Sequence, residues 1–454
     1  MSRLLIRGGH LIDPKNGRDE PADVLIVDGR VVKCGTIPPS ESEGTPTLEA
    51  SGLLVCPGLI DVHVHLREPG QEAKETIATG AAAAVAGGFT SICCMPNTVP
   101  AIDDDASIDY VYERAKQSGL ANVFPTGCLT RGREGKDLAE IGLMARHGAV
   151  AFTDDGTGVA SASLMAKAMT YVGMTGLAVM QHCEDPDLGG GAMNAGELAT
   201  QLGLAGWPSL AEDLMIQRDL LIARSQGYRT RWHAQHMTTG SGAELLRRAK
   251  HDAVEHRDRI TGEVSPHHLL LTDEACAGYD TLAKMNPPLR TQRDIEELRS
   301  AVADGTITLL ATDHAPHTAE EKALEFEDAP YGIIGLESAL PLYIRALIET
   351  ETIGWPRLIE MMSWRGAELC NLENRGHLGE GAFGDVTLID PGESWTIDAS
   401  RFASKARNCP FDGWSVKGRA IGVVVGGEVK LLREVERLKQ SAGGFAVDEA
   451  GLAS

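Results

Sequence analysis

The sequence predicts an α/β protein, a TIM-like (β/α)8 barrel with a small β domain assembled from both ends of the chain. The first observation is an alternation of apolar, β-branched runs with helical segments, which is typical of parallel βα units. The second is a set of short strand-like runs at each end of the chain. The third is the length of 454 residues, which exceeds the ~250 residues of a typical barrel and leaves room for a second unit.

The two chain ends carry the strand signal of the small β domain. Residues 3–56 contain short strand-like runs with a turn at Asp28-Gly29, and strand-like runs return after Leu378. In the tail, a short helix around Val435 and Leu438 is predicted to lead into a poorly ordered end. The predicted boundaries are 1–57 and 378–430 for the two parts of the small β domain, 58–377 for the barrel and 431–454 for the tail.

The barrel prediction depends on eight runs that have the composition of buried strands. These runs are 59–65, 89–95, 122–129, 149–155, 177–183, 229–236, 260–268 and 307–314. Helix candidates between them include 72–87, 105–118, 161–172, 209–226 and 291–303. Because eight parallel strands that are each followed by a helix close into a barrel, this order predicts that architecture.

Composition and charge narrow the class of function. The chain is 43% hydrophobic and 23% charged, as in globular proteins, and its formal net charge is −22. That charge opposes binding to nucleic acid or to an anionic membrane, so we expect neither as a partner. The nine cysteines are odd in number and include the adjacent Cys93 and Cys94, which argues against a disulfide framework. With no signal peptide or long apolar run recognised, we expect a cytoplasmic protein.

Polar side chains follow the predicted strands at the end where barrels place their functional groups. They are His63, His65, Asn97, Asp154, Asp155, His182, His236 and Asp313. His63 and His65 are two residues apart on one strand, so both point to the same face. Imidazole and carboxylate ligands without cysteine suit zinc, with manganese or cobalt as substitutes. More ligands than one tetrahedral ion requires favour two metals that share a carboxylate.

Six motifs carry a resemblance to a known family. They are DVHVHLREPG (61–70), MPNT (95–98), FTDDG (152–156), HCED (182–185), NPPLR (286–290) and ATDHAPH (311–317). In this order they resemble a type I dihydroorotase of the amidohydrolase superfamily, over roughly residues 3 to 430. DxHxHxR alone marks only the superfamily, whereas REPG, MPNT, NPPLR and ATDHAPH are far more specific.

The resemblance implies a ligand set for two zinc ions per subunit: His63, His65, Asp155, His182, His236 and Asp313. Asp155 is the expected bridge, and the neighbouring Asp154 is its competitor. Hydantoinase-like relatives, and some dihydroorotases, place a carbamylated lysine at the bridge, but no lysine lies between Lys136 and Lys167. His267 and His268 are left open as further ligands or as groups that orient the ligands.

The resemblance also implies how substrate is held. Arg67 follows the two histidines on the same strand face, so its guanidinium is expected to bind a carboxylate with two hydrogen bonds. The alternative is a surface ion pair with Glu68 or Glu72. Similarity to the family assigns the substrate carboxylate to Arg67, Asn97 and His317, and the ring amides to Asn286 and the backbone around Tyr331 and Gly332. The acidic run 317–332 has the composition of a lid, and His314 is expected to support the strand end.

The expected function is a zinc-dependent dihydroorotase that reversibly cyclises N-carbamoyl-L-aspartate to L-dihydroorotate in de novo pyrimidine (UMP) biosynthesis. A metal-bridging hydroxide is the expected nucleophile, and Asp313 is the expected proton shuttle. The alternatives are an allantoinase or dihydropyrimidinase, and a non-catalytic scaffold subunit of aspartate carbamoyltransferase. We expect a homodimer, with association with aspartate carbamoyltransferase left open.

Overall fold

The computed structural model describes residues 2–433, and it begins with five strands. They are β1 (Arg3–Asp13), β2 (Arg18–Val27), β3 (Arg30–Gly35), β4 (Thr47–Glu49) and β5 (Leu54–Pro57). The predicted turn at Asp28-Gly29 joins β2 to β3, and both of its residues have positive φ, which suits this pair of residue types. Apart from residues 431–433, the predicted tail lies outside the described residues.

Ten further strands follow, and each of the eight predicted runs contains one of them. They are β6 (Leu59–Val64), β7 (Phe89–Cys94), β8 (Asn122–Pro125), β9 (Ala151–Phe152), β10 (Ala178–Gln181), β11 (Met193–Asn194), β12 (Gly206–Trp207), β13 (Arg231–Ala234), β14 (Ile260–Val264) and β15 (Leu309–Leu310). The observed strands are shorter than the predicted runs, because the last residues of most runs lie in loops and those of the run 260–268 begin a helix. The sequence did not predict the short β11–β12 pair.

The strands that correspond to the eight runs pair only in parallel. One sheet has the order β6-β7-β8, and a second has the order β9-β10-β13-β14-β15. Isolated parallel bridges join Gly127 to Phe152 and Val64 to His314. The predicted α/β class with a parallel sheet is therefore confirmed, and the carboxyl ends of these strands lie at one edge.

Helices connect these strands. They are α1 (Pro39–Ser42), α2 (Ile77–Gly87), α3 (Asp105–Ser118), α4 (Ile141–Arg146), α5 (Ala162–Thr175), α6 (Glu197–Leu202), α7 (Leu210–Ser225), α8 (Gly240–Asp252), α9 (Pro266–Leu270), α10 (Gln292–Ala303), α11 (Ala319–Lys322), α12 (Ala339–Tyr343), α13 (Trp355–Met362) and α14 (Trp364–Leu369). Predicted and observed bounds agree best for α3, where Asp104 accepts a hydrogen bond from the backbone of Ser107 and Gly119 ends the helix in the left-handed region. The first predicted helix begins later, at residue 77, because Thr76 caps it.

Both chain ends meet in one eight-stranded sheet, called here the terminal sheet. Its last strands are β16 (Val386–Thr396), β17 (Ser415–Val425) and β18 (Glu428–Leu432). The order is β18-β17-β16-β5-β1-β2-β3, with β4 beside β1. Its core consists of aliphatic side chains from both ends of the chain. The proposed domain boundaries themselves stay predictions.

The terminal sheet is joined directly to the first parallel strand. Only Gly58 separates β5 from β6, and its backbone N–H donates to the carbonyl of Asp385. A Cβ at Gly58 would lie 2.1 Å from Thr90 Oγ1, so a side chain there would prevent this close approach. The strand that carries His63 is therefore fixed at its start. Within residues 2–433, no helix is long and apolar enough to cross a membrane.

Candidate metal centre

The six predicted metal ligands lie together at the carboxyl ends of the parallel strands. His63 is in β6 and His65 follows it, while the others lie in the loops after β9, β10, β13 and β15. All six are buried. Two of them, His236 and Asp313, have φ values of 29° and 48°. Non-glycine residues adopt such values uncommonly, at turns and at functional sites, and these two occur where the ligands converge.

Asp155 is at the centre of the cluster. Its Oδ1 lies 3.3 Å from His63 Nε2, 3.5 Å from His182 Nδ1 and 3.5 Å from His236 Nε2. Its Oδ2 lies 3.4 Å from His65 Nε2. One carboxylate thus faces four imidazole rings, which is the arrangement expected of a bridging ligand.

Asp313 closes one side of the cluster. Its Oδ1 lies 3.0 Å from His65 Nε2 and 3.4 Å from His63 Nε2. Three groups of residues present ligand atoms that could hold an ion: His63, His236 and Asp313; His63, His65 and Asp155; and Asp155, His182 and His236. The groups share His63, His236 and Asp155, so the six side chains form one connected set of possible ligands.

The donor atoms in this cluster fit a metal. His63 Nε2 and Asp155 Oδ1 are buried and have no hydrogen-bond partner within the described chain. A buried polar atom without a partner costs about 1–3 kcal/mol, and a cation between the two would remove that cost. In addition, His182 Nδ1 and His236 Nε2 lie 2.8 Å apart, so two ring nitrogens converge on one place. Nitrogen and oxygen donors without sulfur suit a divalent metal ion such as zinc, manganese or cobalt.

The electrostatics of the cluster also favour a cation. Burial would raise the pKa of Asp155, but the nearby histidines hold it well below its usual range. Burial opposes charge on His182 as well, yet Asp155 and Glu184 raise its pKa to about 9. The carboxylates thus remain ionised and draw positive charge towards them, whether from protons or from a metal.

Asp154 is turned away from this cluster. Its Oδ1 accepts hydrogen bonds from the backbone N–H groups of Leu129 at 2.9 Å and Thr130 at 3.0 Å, and its Oδ2 accepts one from the Thr130 hydroxyl. Asp154 belongs to none of the three ligand groups found in residues 2–433. The geometry therefore favours Asp155 over Asp154 as the bridge.

Three of the four histidine ligands also contact a polar side chain through their second ring nitrogen, whereas His236 Nδ1 is buried without a hydrogen-bond partner in the described chain. His65 Nδ1 lies 2.9 Å from Asn97 Oδ1, and His182 Nε2 lies 2.8 Å from Glu184 Oε2. Neither Glu184 nor Glu263 is among the predicted site residues; Glu263 is a buried glutamate, the fourth residue of β14. A charged residue inside an apolar strand was the signal that could have indicated Glu263, since buried charges are paired.

His267 and His268 lie outside the three ligand groups of the described chain. Both are buried, with ring centroids 4.3 Å apart, and His268 Nε2 lies 3.0 Å from the carbonyl oxygen of Pro287. Burial lowers the pKa of His267 to about 4. His314 supports the strand end, because its Nδ1 lies 3.1 Å from the backbone nitrogen of Gly335.

Arg67 is buried beside His317 and makes no surface ion pair. Its Nε donates to the carbonyl of Pro316 at 3.1 Å, and its Nη2 lies 3.4 Å from His317 Nε2. Glu68, one of the predicted surface partners, instead pairs with Arg114 at 2.6 Å. Within the described residues Arg67 has no carboxylate partner, and burial lowers its pKa only to about 10. It is therefore a cation near neutral pH.

His317 is neutral in this setting. Burial and the neighbouring Arg67, Lys74 and Lys322 lower its pKa to about 2. Asn97, the third residue assigned to the substrate carboxylate, already uses its Oδ1 on His65, which leaves its amide N–H groups as donors. This part of the cluster thus offers donors and one cation.

The groups assigned to the ring amides are partly used within the protein. Asn286 Nδ2 donates to Glu184 Oε2 at 3.2 Å, while its Oδ1 is buried and has no hydrogen-bond partner among the described residues. The N–H of Gly332 donates to the carbonyl of Lys284, and its carbonyl accepts from Asn408 Nδ2. The Tyr331 hydroxyl donates to the carbonyl of Gly191. Their contact with substrate stays a prediction.

The predicted lid, residues 317–332, is anchored by two buried lysines. It contains α11, which Thr318 caps. Lys322 Nζ donates to the carbonyl of Pro330 at 2.8 Å. Lys284 Nζ donates to the carbonyl of Glu327 at 2.8 Å and lies 4.5 Å from the centre of the Tyr331 ring. The segment thus packs down beside His317.

Known proteins resemble this chain over most of its length. The sequence family described as Dihydro-orotase-like matches residues 52–240. A dihydroorotase from Citrifermentans bemidjiense is 48% identical over 94% of this chain and 99% of its own length. One from Pelotomaculum thermopropionicum is 47% identical over 96% of this chain and 100% of its own length. The solved L-hydantoinase (dihydropyrimidinase) from Arthrobacter aurescens shares the fold, with a TM-score of 0.84 at 24% identity over 96% of this chain and 97% of that one.

Proposed function

This chain belongs to the dihydroorotase family of cyclic amidohydrolases, and we propose that it interconverts N-carbamoyl-L-aspartate and L-dihydroorotate in pyrimidine (UMP) biosynthesis with two zinc ions. The observation that carries the proposal is the single Asp155 carboxylate that faces four histidines at 3.3–3.5 Å. His63, His65 and Asp313 would hold one ion, His182 and His236 would hold the other, and Asp155 would serve both. When bound, zinc supplies an activated water near neutral pH and polarises the amide carbonyl.

The chain's own residues would handle the proton. In ring opening, the ionised Asp313 carboxylate takes a proton from the attacking water and passes it to the amide nitrogen as the carbon–nitrogen bond breaks. Ring closure runs the same steps backwards and requires a protonated Asp313. His63 and His65 hold the pKa of Asp313 well below its usual range despite its burial, so the ionised form is the resting state.

Substrate specificity would come from the region around Arg67. Its guanidinium, with His317 and the Asn97 amide, would bind the ring carboxylate through charge-assisted hydrogen bonds. Asn286, with its unpaired Oδ1, and the backbone around Tyr331 and Gly332 would face the ring amides.

The two alternative functions have weaker support. Allantoin and dihydrouracil rings carry no carboxylate for Arg67, and the likeness to the hydantoinase is one of fold, at 24% identity. A non-catalytic scaffold would not need the ligand set, which is brought together here. We also infer that the two bridges at Gly127 and His314 close the eight parallel strands into a (β/α)8 barrel, and we expect a cytoplasmic homodimer.

One experiment tests the proposal. The purified protein is analysed for metal and assayed with dihydroorotate, hydantoin, dihydrouracil and allantoin. We expect zinc near two ions per chain and turnover of dihydroorotate far above that of the others. Preferred turnover of another ring, or metal-free protein without turnover, would contradict it.

The pH profile tests the role of Asp313 separately. Ring opening requires the ionised Asp313 carboxylate together with a deprotonated water, which the bound metals would supply near neutral pH, whereas ring closure requires the protonated carboxyl group; hydrolysis should therefore rise with pH while synthesis falls. Initial rates in both directions between pH 5 and 10 give the answer, and parallel profiles would count against Asp313 as the shuttle.

A further inference from the structure

We infer that Glu263 is a positioning residue that holds ligands of both proposed zinc ions with one carboxylate, an inference that rests on the proposed two-metal centre. Glu263 lies on β14 and is 0% exposed. Its Oε1 lies 2.6 Å from His63 Nδ1 and accepts a hydrogen bond from the backbone N–H of His236 at 3.2 Å. One oxygen atom therefore touches a ligand of each ion.

The contact with His63 selects which ring nitrogen can bind metal. A carboxylate oxygen at 2.6 Å accepts a hydrogen bond from Nδ1–H, so Nε2 carries the lone pair. Nε2 is the buried atom without a hydrogen-bond partner that faces Asp155 and Asp313. Carboxylates behind metal-binding histidines fix ring orientation and raise the basicity of the ligand in the same way.

The contact with His236 acts on the backbone instead of the ring. His236 has a φ of 29°, which costs free energy in a residue with a side chain. A hydrogen bond from its N–H to Glu263 helps to maintain that conformation, and the conformation places the ring Nε2 3.5 Å from Asp155 Oδ1.

A further histidine holds the other oxygen of the carboxylate. His233 Nε2 lies 2.9 Å from Glu263 Oε2, and His233 Nδ1 lies 2.8 Å from Thr261 Oγ1. Within residues 2–433 no lysine or arginine pairs with Glu263, so its carboxylate is stabilised by hydrogen bonds from imidazoles, and metal ions bound at the cluster would offset its charge. The carboxylate therefore adds to the attraction for metal as well as setting its geometry.

The test measures metal affinity directly. Metal-free wild type and Glu263→Gln are titrated with Zn²⁺ against a chromophoric chelator, and Co²⁺-loaded samples are compared by visible absorption. Glutamine keeps the size and one carbonyl oxygen but removes the charge, so we expect both ions to bind about 10–100-fold more weakly. We also expect the Co²⁺ spectrum to change. Two control variants frame this result. Asn97→Ala removes the side chain that contacts His65 and should weaken the binding of one ion. Asp385→Asn removes a buried carboxylate beside the terminal sheet and should leave the affinity for both ions unchanged.

The outcomes separate this inference from the proposed function. If the wild type binds two ions and Glu263→Gln binds them within threefold, or loses only one, Glu263 does not serve both sites. If the wild type binds no metal, the proposed centre itself fails. Should Glu263→Gln fold poorly, His233→Gln keeps the carboxylate but removes its outer partner, and an unchanged affinity there would also count against the inference.

Discussion

The terminal sheet and the carboxyl ends of the parallel strands are built on opposite principles. The terminal sheet buries leucine, isoleucine and valine from both chain ends, and its core is apolar. The strand ends bury histidines and carboxylates instead, and some of their atoms have no partner within the described chain. Apolar burial stabilises the native state, whereas unpaired buried polar atoms cost free energy. The comparison indicates that one region stabilises the fold and the other tolerates a cost for function.

The largest expected effect comes from removing the shared carboxylate at the strand ends. Asp155→Ala should lose both metals, and kcat/KM for dihydroorotate should fall by about 10⁴-fold, or about 5.5 kcal/mol of barrier. Asp154→Ala is the matched control, because that carboxylate faces the Leu129–Thr130 loop. Metal analysis and turnover of both variants decide the matter. Full metal in Asp155→Ala with loss of metal in Asp154→Ala would reverse the bridge assignment.

The next effect concerns the buried cation beside His317. Arg67→Met should lower kcat/KM for dihydroorotate by roughly 10³-fold and leave slow dihydrouracil turnover almost unchanged, because only the former has the carboxylate. Arg67→Lys keeps the charge but loses the planar fork, so it should be impaired to a lesser degree. The measurement is kcat/KM for both substrates in the three enzymes. An equal loss for both substrates would make Arg67 a structural residue.

A core substitution in the terminal sheet should lower stability but leave metal binding and turnover unchanged, the opposite of a substitution at the strand ends. Leu48, on β4, is 1% exposed, and Leu48→Ala should lower the free energy of unfolding by about 3 kcal/mol. Metal content and kcat should stay as in the wild type, since Leu48 packs in the core of the terminal sheet and the predicted ligands lie at the ends of the parallel strands. Urea unfolding and metal analysis test this together. Loss of metal at unchanged stability would show that the two regions are not separable in this way.

The smallest effect is a pH dependence from Lys322. Burial and the nearby Lys284 lower its pKa from 10.5 to about 7. Between those values the unfolded chain binds more protons than the folded one, so this contribution to stability rises with pH and is lowest below pH 7. Going from pH 7 to 9, it should add about 2 kcal/mol in the wild type. In Lys322→Met it should be absent, and urea unfolding at both pH values measures the difference. If the free energy of unfolding changes equally with pH in the wild type and in Lys322→Met, the pH dependence does not come from Lys322.

The strand ends were easier to predict than their surroundings. His63 and His65 are visible in sequence because they follow an apolar run and share a strand face. Glu263, which contacts His63 from 200 positions away, lies on β14, in a different sheet from β6, and no local pattern gives that contact. The predicted strands were too long for a related reason. The run around β15 continues to His314, but the regular strand ends at Leu310, Asp313 has a φ of 48°, and pairing returns only as isolated bridges at His314. Local periodicity thus located the ligands, whereas their partners required the tertiary fold.

The pairing of β5 with β16 has a consequence for how the chain is made. About 330 residues separate Pro57 from Val386, its partner in the ladder. At synthesis rates of roughly 5–20 residues per second, the β5 edge waits for about 15–65 s before that partner has been made. An unpaired edge is a template for association with other chains. All the parallel strands are therefore synthesised while the β5 edge of the terminal sheet is still unpaired. We expect a chaperone that binds unfolded chains to reduce aggregation most during that interval.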